Sequence, residues 1–364
     1  MMRVVVAAWV GSTNLGDELV FRGLCDQLSG LGASVTAVSL APGATRAVHG
    51  VDAVGHHDLA GLVRAVRRAD AVVFGGGGLV QDQTSAFNAP YHLSRVWAAR
   101  AAGTPVGAIG VGVGPLVTRL GLAVTRASLA PVRTVTTRDD ASAQLLRRLG
   151  VGPVVVAADL ALSLPLPDVG PEDTLVVALR PWTGRRRALP VSMGGRHQET
   201  PEWFVEAMAA ALDAAAGATG LAVRFVAFQA DRDGPLHERV AERMRAPAST
   251  ACPDVDSVLA EVARSRVVVA VRYHALVAAV LAGRPAVCLG YSPKVASLAA
   301  DAGGGAVALP WSHQAVEQVP AAIERAAGRD DAMAEARGRL RERERANGAA
   351  LERLFDSVRS PPSW

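Results

Sequence analysis

The stretch RVVVAVRYHALVAAVLAGRPAVCLGYSPK, residues 266–294, contains two apolar runs on either side of a short segment of helical composition. Neither run alternates polar with apolar residues, and continuous apolar strands separated by helices are typical of a parallel sheet covered on both faces. Gly283 follows the intervening segment, at the position where a helix commonly ends. The stretch therefore predicts a strand, a helix and a second strand within an α/β sheet.

The same pattern recurs on both sides of PLPDVGPED, residues 165–173, which is rich in Pro, Gly and acids. The predicted strands before it are RVVVAAW, SVTAVSL, AVVFGGG, VGAIGVGVG and TVTTRD, and those after it are TLVVALR, AVRFVAFQA, RVVVAVRYH, PAVCLGY and GAVALP. We predict an α/β fold in which two parallel sheets face each other across a cleft, in domains at residues 1–168 and 169–328. Residues 329–364 are predicted to form a C-terminal helix, ending near Val358, and a tail that packs on one of the domains.

Composition excludes several classes of protein. The 364 residues carry a formal net charge of +4 that comes from arginines spread along the chain, without a basic block suited to nucleic acid. The longest uncharged run, residues 101–118, is interrupted by Gly and Pro, so no membrane span is expected. The apolar N-terminus leads into GSTNLGDE rather than a cleavage site, so no signal peptide is expected. The expected location is the cytoplasm, and peripheral association with the inner face of the membrane is left open.

The three cysteines, Cys25, Cys252 and Cys288, lie far apart in apolar runs, and no CxxC pair or His cluster has the spacing of metal ligands. We expect buried thiols in a reducing compartment, no metal site and no cofactor.

Cationic residues collect at the ends of predicted strands. Arg138, Arg180, Arg272, His274 and Lys294 end or follow four such strands. Lys294 is the only lysine of the chain, and residues 272–294 contain no Asp or Glu. Because the carboxyl ends of parallel strands share one edge of a sheet, these residues are predicted to bind a small ligand with more than one negative group. The alternative is that each arginine pairs with a helix-capping acid and that the histidine is structural.

Two further stretches follow strands of the first half. FGGGGLVQD, residues 74–82, includes Gly76 and Gly77 and suits either close approach of a ligand or a tight turn without one. In GSTNLGDEL, residues 11–19, Asn14 is placed to cap a helix whose first turn holds Asp17 and Glu18. These acids complement the helix dipole and resemble a capping box, or else one of them faces the cleft and takes a proton from a hydroxyl.

These elements together resemble the polysaccharide pyruvyl transferase family. GSTNLGDE resembles the family's NxGDE element, FGGGGLVQD its Gly-rich strand end, and RYHALVAAVLAGRPAVCLGYSPK its RxHxLxxAxxAGxPxxxLxYxPK element. Arg138 and Arg180 stand where the family has similar arginines, and the resemblance extends from residue 3 to about residue 295. The sequence departs from the family at Tyr273, where many members have an aliphatic residue.

The resemblance implies two Rossmann-like domains in the GT-B arrangement, with the acceptor on the N-terminal domain and phosphoenolpyruvate on the C-terminal domain. The product would be a pyruvate ketal on a sugar or a glycan of the cell envelope, free or lipid-linked. Phosphoenolpyruvate carries a carboxylate and a phosphate, which suits binding by Arg138, Arg180, Arg272 and Lys294. Asn14, Gly76 and Gly77 are also expected to contact substrate. His274 would be the acid or would steady the departing phosphate, and Asp17 or Glu18 would deprotonate the hydroxyl.

Two other functions remain open from the sequence. One is a nucleotide-sugar glycosyltransferase or epimerase of the same fold, but such enzymes commonly hold the ribose with a carboxylate, which residues 272–294 lack. The other is a sugar-phosphate binding protein without activity. The acceptor sugar, the hydroxyls that form the ketal and assembly into a homo-oligomer are not determined by the sequence.

Overall fold

The computed structural model describes residues 1–83, 85–181, 200–290 and 292–360. Tyr291, which the sequence placed in a strand, and residues 361–364 of the predicted tail lie outside the described residues.

The first half of the chain forms a parallel sheet whose described strands run in the order β3-β2-β1-β4-β5-β6-β7. Its strands are β1 (Met2–Val10), β2 (Ala33–Ser39), β3 (Asp52–Gly55), β4 (Ala71–Val80), β5 (Val106–Val113), β6 (Thr134–Thr137) and β7 (Val154–Val156). The helices between them are α1 (Leu15–Gly30), α2 (Pro42–His49), α3 (Leu59–Arg68), α4 (Asn88–Ala101), α5 (Arg119–Leu129) and α6 (Asp140–Arg148). A 3₁₀ turn at Leu160–Ser163 follows β7.

The second half forms another parallel sheet, with its described strands in the order β10-β9-β8-β11-β12-β13. These strands are β8 (Thr174–Ala178), β9 (Ala222–Val226), β10 (Ala248–Ala251), β11 (Val267–Ala270), β12 (Ala286–Gly290) and β13 (Ala306–Pro310). The described helices are α7 (Glu202–Thr219), α8 (Ala230–Ala241), α9 (Val258–Arg264), α10 (Tyr273–Ala282), α11 (Pro293–Ala302), α12 (His313–Glu317), α13 (Val319–Ala326) and α14 (Asp330–Arg359), with a 3₁₀ turn at Gly303–Gly305. The predicted α/β class, with two parallel sheets and a long C-terminal helix, is confirmed.

Strand register places the site. In the first sheet Val5 lies opposite Thr36 of β2 and Val72 of β4, and in the second Val269 lies opposite Val177 of β8 and Val287 of β12. The strand order reverses between β1 and β4 and again between β8 and β11. Such reversal points open a crevice at the carboxyl ends of the strands, which is where open α/β sheets bind ligands.

Apolar packing explains why the strands are continuous Val, Ile and Ala runs. One face of each sheet has its own buried cluster, and a third cluster includes residues of β1, α1, α10 and α14 and so joins the two sheets. The helix α10 is buried almost all round and ends at Gly283, whose φ of +68° is the left-handed conformation that favours glycine. Because α10 follows β11 directly, this packing fixes its first residues, Tyr273 and His274.

Four details differ from the sequence predictions. The strands β3, β7 and β10 were not predicted, because each is a short edge strand with part of its surface exposed. The strand β4 continues through Gly78, Leu79 and Val80, beyond the predicted strand AVVFGGG, so the alternative of a tight turn at FGGGGLVQD does not hold. Cys252 is exposed, whereas Cys25 and Cys288 are buried. Finally, the terminal helix was predicted to pack on one domain, whereas α14 contacts α10 and α11 of the second half as well as β5 and β6 of the first. The domain boundaries at residues 168 and 328 stay predictions.

Candidate active site

The carboxyl ends of β1, β4, β8, β11 and β12 and of β6 meet around a cavity of about 210 Å³. It is lined by Trp9, Asn14, Asp17, Gly78, Leu79, Gln81, Asn88, His92, Arg138, Arg180, Arg272, Tyr273, His274 and Lys294. All five predicted strand-end residues, the four cations and the histidine, are therefore brought together. They come from segments as distant as residues 138 and 294, so the sheet topology rather than local sequence creates the cluster.

Arg138 enters the cavity from the first sheet. It is 4% exposed, donates from Nη1 to Asp159 Oδ2 at 3.4 Å, and its guanidinium carbon lies 4.3 Å from the centroid of the Tyr273 ring. A Cβ at Gly112 would lie 2.6 Å from Arg138 Nε, so a side chain there would displace the guanidinium. Tyr273, which departs from the family pattern, therefore stacks on Arg138. The face of an aromatic ring attracts a cation electrostatically, so this contact stabilises the guanidinium.

Arg272 is held from behind by a carboxylate. Its Nε donates to Asp233 Oδ1 at 3.1 Å, its Nη2 also contacts that oxygen, and Nη2 donates to Gln229 Oε1 at 3.2 Å. Asp233 is fully buried, and burial raises its pKa although Arg272 opposes the shift. The absence of acids from residues 272–294 therefore does not make the cluster acid-free, because Asp159 and Asp233 reach it from other segments. Each orients an arginine, and we expect both arginines to be preorganised for a ligand.

Lys294 and Arg180 line the same cavity. Lys294 Nζ lies 5.7 Å from the centroid of the Tyr273 ring, so that ring faces both Arg138 and Lys294. A Cβ at Gly78 would lie 3.1 Å from Arg138 Nη2 and 3.9 Å from Lys294 Nζ. The glycine of β4 that opens room for the cations is thus Gly78.

The predicted glycines lie slightly away from the cavity. A Cβ at Gly76 would meet the Val20 side chain of α1 at 2.7 Å, and a Cβ at Gly77 would lie 3.5 Å from Asp17 Oδ1. Neither residue lines the cavity, whereas Gly78 does. Gly76 serves the packing of α1 on β4, and Gly77 leaves space beside Asp17.

His274 sits between the two halves of the site. A Cβ at Gly16 would lie 2.0 Å from His274 Nδ1, so the glycine of NLGDE lets α1 approach the imidazole. Among the residues that the structure describes, none is a hydrogen-bond partner of His274 Nε2, which lies 3.9 Å from Asp159 Oδ2. Burial lowers the pKa of His274 well below its ordinary value, and the charges of Arg138, Lys294 and Arg272 lower it further. The imidazole is therefore neutral before an anion binds, with a buried nitrogen left for a ligand.

Asp17 is the carboxylate of the cavity wall. The Asn14 side chain donates to Asp17 Oδ2 and forms no hydrogen bond that caps α1, so the capping-box alternative does not hold. Burial raises the pKa of Asp17 to about 6, while the Asn14 amide and the charges of Lys294 and Arg138 act against this rise. A carboxylate with such a pKa can take up a proton near neutral pH.

Glu18 points elsewhere. Its carboxylate accepts from the Ser12 amide at 3.0 Å and contacts His49 Nε2 at 2.8 Å, and it does not line the cavity. Of the two acids that the sequence left open as a base, the geometry favours Asp17.

Several residues of the first sheet were missed by the sequence argument. Trp9 is the penultimate residue of β1 and packs edge-on against His56 and His92, with ring centroids 5.6 and 5.4 Å away. His92 and Asn88 belong to α4, whose first turn faces the cavity. No sequence pattern marked Trp9. For Asn88 and His92 the only signal was their place in the helix after the glycine-rich strand, without a spacing typical of sugar sites.

A second cavity, of about 420 Å³, adjoins the first. The two share Gly78, Gln81, Arg138, Arg180 and Lys294, and the second continues past Gly114, Pro115 and Arg148. A substrate larger than the first cavity therefore has room to extend between the sheets. Among the described residues, no group of three His, Cys, Asp or Glu side chains could hold a metal ion.

Comparisons with known proteins agree with this architecture. The chain is similar to UDP-GlcNAc 2-epimerase from Neisseria meningitidis bound to UDP-GlcNAc (12% identity, TM-score 0.57, 98% of this chain and 100% of that chain). It is also similar to HepE from Anabaena in complex with UDP-glucose (14%, TM-score 0.62, 98% and 100%) and to the spinosyn rhamnosyltransferase SpnG (15%, TM-score 0.56, 98% and 100%). At these identities the likeness shows the GT-B fold alone.

A search of curated protein sequences finds no match to the chain. The sequence profile described as polysaccharide pyruvyl transferase matches residues 14–293, which covers most of the chain. The matched range includes Asp17, Arg138, Arg180, Arg272, His274 and the segment up to Pro293. The chain belongs to the polysaccharide pyruvyl transferase family.

Proposed function

We propose that the protein transfers the enolpyruvyl unit of phosphoenolpyruvate to two hydroxyls of a sugar or glycan, forming a pyruvate ketal and releasing phosphate. The observation that carries the proposal is the arrangement of Arg138, Arg180, Arg272 and Lys294 around one small cavity that also holds Asp17 and His274. A ligand with a carboxylate and a phosphate on adjacent groups matches several cations at this spacing, because each anionic group can accept from more than one donor.

The donor occupies the cationic part of the cavity in this proposal. Arg138 and Arg272, each oriented by a buried carboxylate, present their remaining donors to the carboxylate and phosphate of phosphoenolpyruvate. Lys294, a compact ammonium with three donors, follows the phosphate as it leaves. A bound dianion offsets the charges of Arg138, Lys294 and Arg272 that lower the pKa of His274, so binding shifts this histidine toward its protonated form.

The reaction then joins two acceptor hydroxyls to one carbon of the donor. A proton is delivered to the methylene carbon of phosphoenolpyruvate, and an acceptor hydroxyl attacks the carbon that bears the phosphate while Asp17 takes the hydroxyl proton. The bond from this carbon to the phosphate oxygen breaks, phosphate leaves, and a second hydroxyl closes the ketal with loss of its proton. His274 donates a proton or a hydrogen bond to the reacting donor, and no step requires a metal or a cofactor.

The acceptor approaches from the first sheet. Trp9 offers an aromatic surface, and Asn88 and His92 offer polar groups on the wall that carries Asp17. Aromatic faces beside amides are suited to the alternating apolar and hydroxyl surfaces of a sugar ring. The adjoining cavity gives the rest of a glycan room to extend. We place this reaction in the cytoplasm.

The test is turnover with a panel of sugars that carry pairs of neighbouring hydroxyls. We expect phosphate release from phosphoenolpyruvate that depends on the sugar, and a product whose mass exceeds that of the sugar by one pyruvate less one water. Transfer of sugar from UDP-glucose to the same acceptors, without phosphate release from phosphoenolpyruvate, would contradict the proposal and favour a nucleotide-sugar enzyme.

A further inference from the structure

The helices α3, α4 and α5 pack side by side on one face of the first sheet, outside the candidate active site. They share one buried cluster beneath them, and α4 contacts both neighbours. Their outer side is unusual in two respects, its charge and its exposed apolar residues. We call this outer side the α3–α5 face and define it by Leu59, Val63, Arg64, Arg67, Arg68, Phe87, Trp97, Arg100, Val117, Arg119, Leu120 and Arg126.

The α3–α5 face carries an excess of positive charge. No Asp or Glu occurs between Asp82 and Asp139, and none occurs within α3. In the described part of the chain, Arg64, Arg67, Arg68, Arg119 and Arg126 form no ion pair. Three acids flank these helices. Asp58 is exposed and accepts from the Gly61 amide at the start of α3, Asp70 after α3 pairs with Arg3, and Asp82 is fully buried beneath Val117 and Thr118.

The terminal helix α14 does not share this excess of positive charge. It contains as many Asp and Glu residues as arginines, and Arg345 pairs with Glu342 there. Arginines on α14 therefore lie on a mixed surface of the kind that keeps a protein in solution. Those of the α3–α5 face remain available to an anionic partner.

Large apolar residues are exposed among these arginines. Leu59 is 71% exposed and Phe87 65%, and Val63, Trp97, Val117 and Leu120 are also among the exposed large hydrophobic residues. Within the helices, Leu59 and Val63 are four residues apart, and Trp97 and Arg100 three, so in each pair both side chains project from one side. Aromatic and aliphatic side chains mixed with arginines are typical of surfaces that lie in the headgroup region of a bilayer.

The face also borders the site. Phe87 precedes Asn88 of the first cavity, and Val117 follows Pro115 of the second. We propose that the α3–α5 face binds the surface of an anionic lipid bilayer, with the arginines on the headgroups and Phe87, Trp97 and Leu120 inserted between them. This orientation presents the cleft edge to the membrane. The inference rests on charge and exposure and does not depend on the donor chemistry.

Vesicle flotation of the full chain tests the proposal. We expect binding to phosphatidylcholine vesicles that contain phosphatidylglycerol and none to pure phosphatidylcholine. Replacing four arginines of the face, as Arg64→Gln, Arg67→Gln, Arg119→Gln and Arg126→Gln, should lower partitioning by about 100-fold or more, since each basic residue near an anionic surface contributes about 5-fold. The matched control replaces four exposed α14 arginines, as Arg339→Gln, Arg341→Gln, Arg345→Gln and Arg353→Gln, and should bind like the parent.

A second variant, Phe87→Ser with Leu120→Ser, should lower partitioning without changing the net charge, and melting curves should match the parent because these side chains are exposed. Failure of the parent to bind anionic vesicles would overturn the proposal, as would equal losses in the α14 control. Loss of a parent dimer on light scattering in the Phe87→Ser, Leu120→Ser variant, with unchanged vesicle binding, would assign the face to a second copy of the chain and also overturn it.

Discussion

The two sheets contribute unequal chemistry to one cavity. The second sheet supplies Arg180, Arg272, Lys294 and His274, whereas the first supplies Trp9, Asn14, Asp17, Asn88 and His92, with Arg138 as its one cation among the lining residues described. The cationic side suits an anionic donor, and the carboxylate and amide side suits a neutral polyol. The contrast shows how a single cleft can keep a base close to a cluster of cations: Asp17 is half-buried on the opposite wall, and desolvation there raises its pKa more than the cations lower it.

The largest expected effect comes from replacing Arg138, which pairs with Asp159 and stacks on the Tyr273 ring. Arg138→Met should abolish measurable binding of phosphoenolpyruvate by calorimetry and should lower the free energy of unfolding by about 3–5 kcal/mol, because it leaves Asp159 as a buried carboxylate without its cation. The double variant Arg138→Met, Asp159→Asn should recover stability but not binding. Parent-like affinity in the double variant would remove Arg138 from the donor site.

His274→Ala should reduce turnover at least about 100-fold, the usual scale for removal of a proton donor or acceptor. His274→Gln separates the two roles, because an amide keeps a hydrogen-bond donor but cannot act as an acid. Partial activity in the glutamine variant would indicate a hydrogen bond to the departing phosphate, and activity as low as in the alanine variant would indicate proton transfer. The exposed His313 on α12 gives a matched control as His313→Ala, and normal turnover of His274→Ala would contradict any role of the imidazole.

Asp17 should produce a pH dependence on the acceptor side. Because a base must be ionised, kcat/KM should rise as pH increases through about 6 and level off above it. Asp17→Asn should lower turnover about 100-fold and lose this rise, and any rise that survives belongs to another group. The neighbour Glu18→Gln is the control, because its carboxylate contacts His49 outside the cavity; a greater loss in Glu18→Gln than in Asp17→Asn would reverse the assignment.

The smallest effect is expected at the only lysine. Lys294→Arg keeps the charge but replaces a compact ammonium by a wide planar group beside Gly78 and the Tyr273 ring, so turnover should fall about 10-fold with little change in melting temperature. Lys294→Gln should lose more, since it removes the charge as well. Parent-like activity of Lys294→Arg in steady-state kinetics would show that charge alone matters at this position.

The site residues that could be predicted from the sequence are those whose position depends on local contacts. The cations could be predicted because each lies within four residues of the end of a buried strand, and parallel strands must end at one edge. The acids Asp159 and Asp233 could not be predicted. Asp159 caps the 3₁₀ turn after β7 and Asp233 lies in α8. Each reaches its arginine, Arg138 or Arg272, only through packing between segments that are distant in the chain. The short edge strands β3, β7 and β10 carry too few buried residues to give a pattern.

Glycine roles show the same limit. The four glycines of β4 were visible as a group, yet only the structure distinguishes Gly76, against α1, from Gly78, beside the cations. Gly16 was marked only as part of the NxGDE element and Gly112 was not marked at all, although each leaves room for a site residue, His274 and Arg138 respectively. Sequence pattern locates the edge of the sheet, and side-chain packing decides which residues of that edge reach the cavity.

The central claim, that the cationic side binds phosphoenolpyruvate, is tested most directly by thermal shift of the full chain in EDTA with phosphoenolpyruvate, UDP and UDP-glucose in parallel. A ligand that binds only the folded state raises the melting temperature, and the rise grows with the logarithm of the ratio of ligand concentration to Kd. We predict a rise with phosphoenolpyruvate that diminishes at high salt, since binding rests on charge, and no rise with the two nucleotides. Stabilisation by UDP or UDP-glucose without stabilisation by phosphoenolpyruvate would contradict the account.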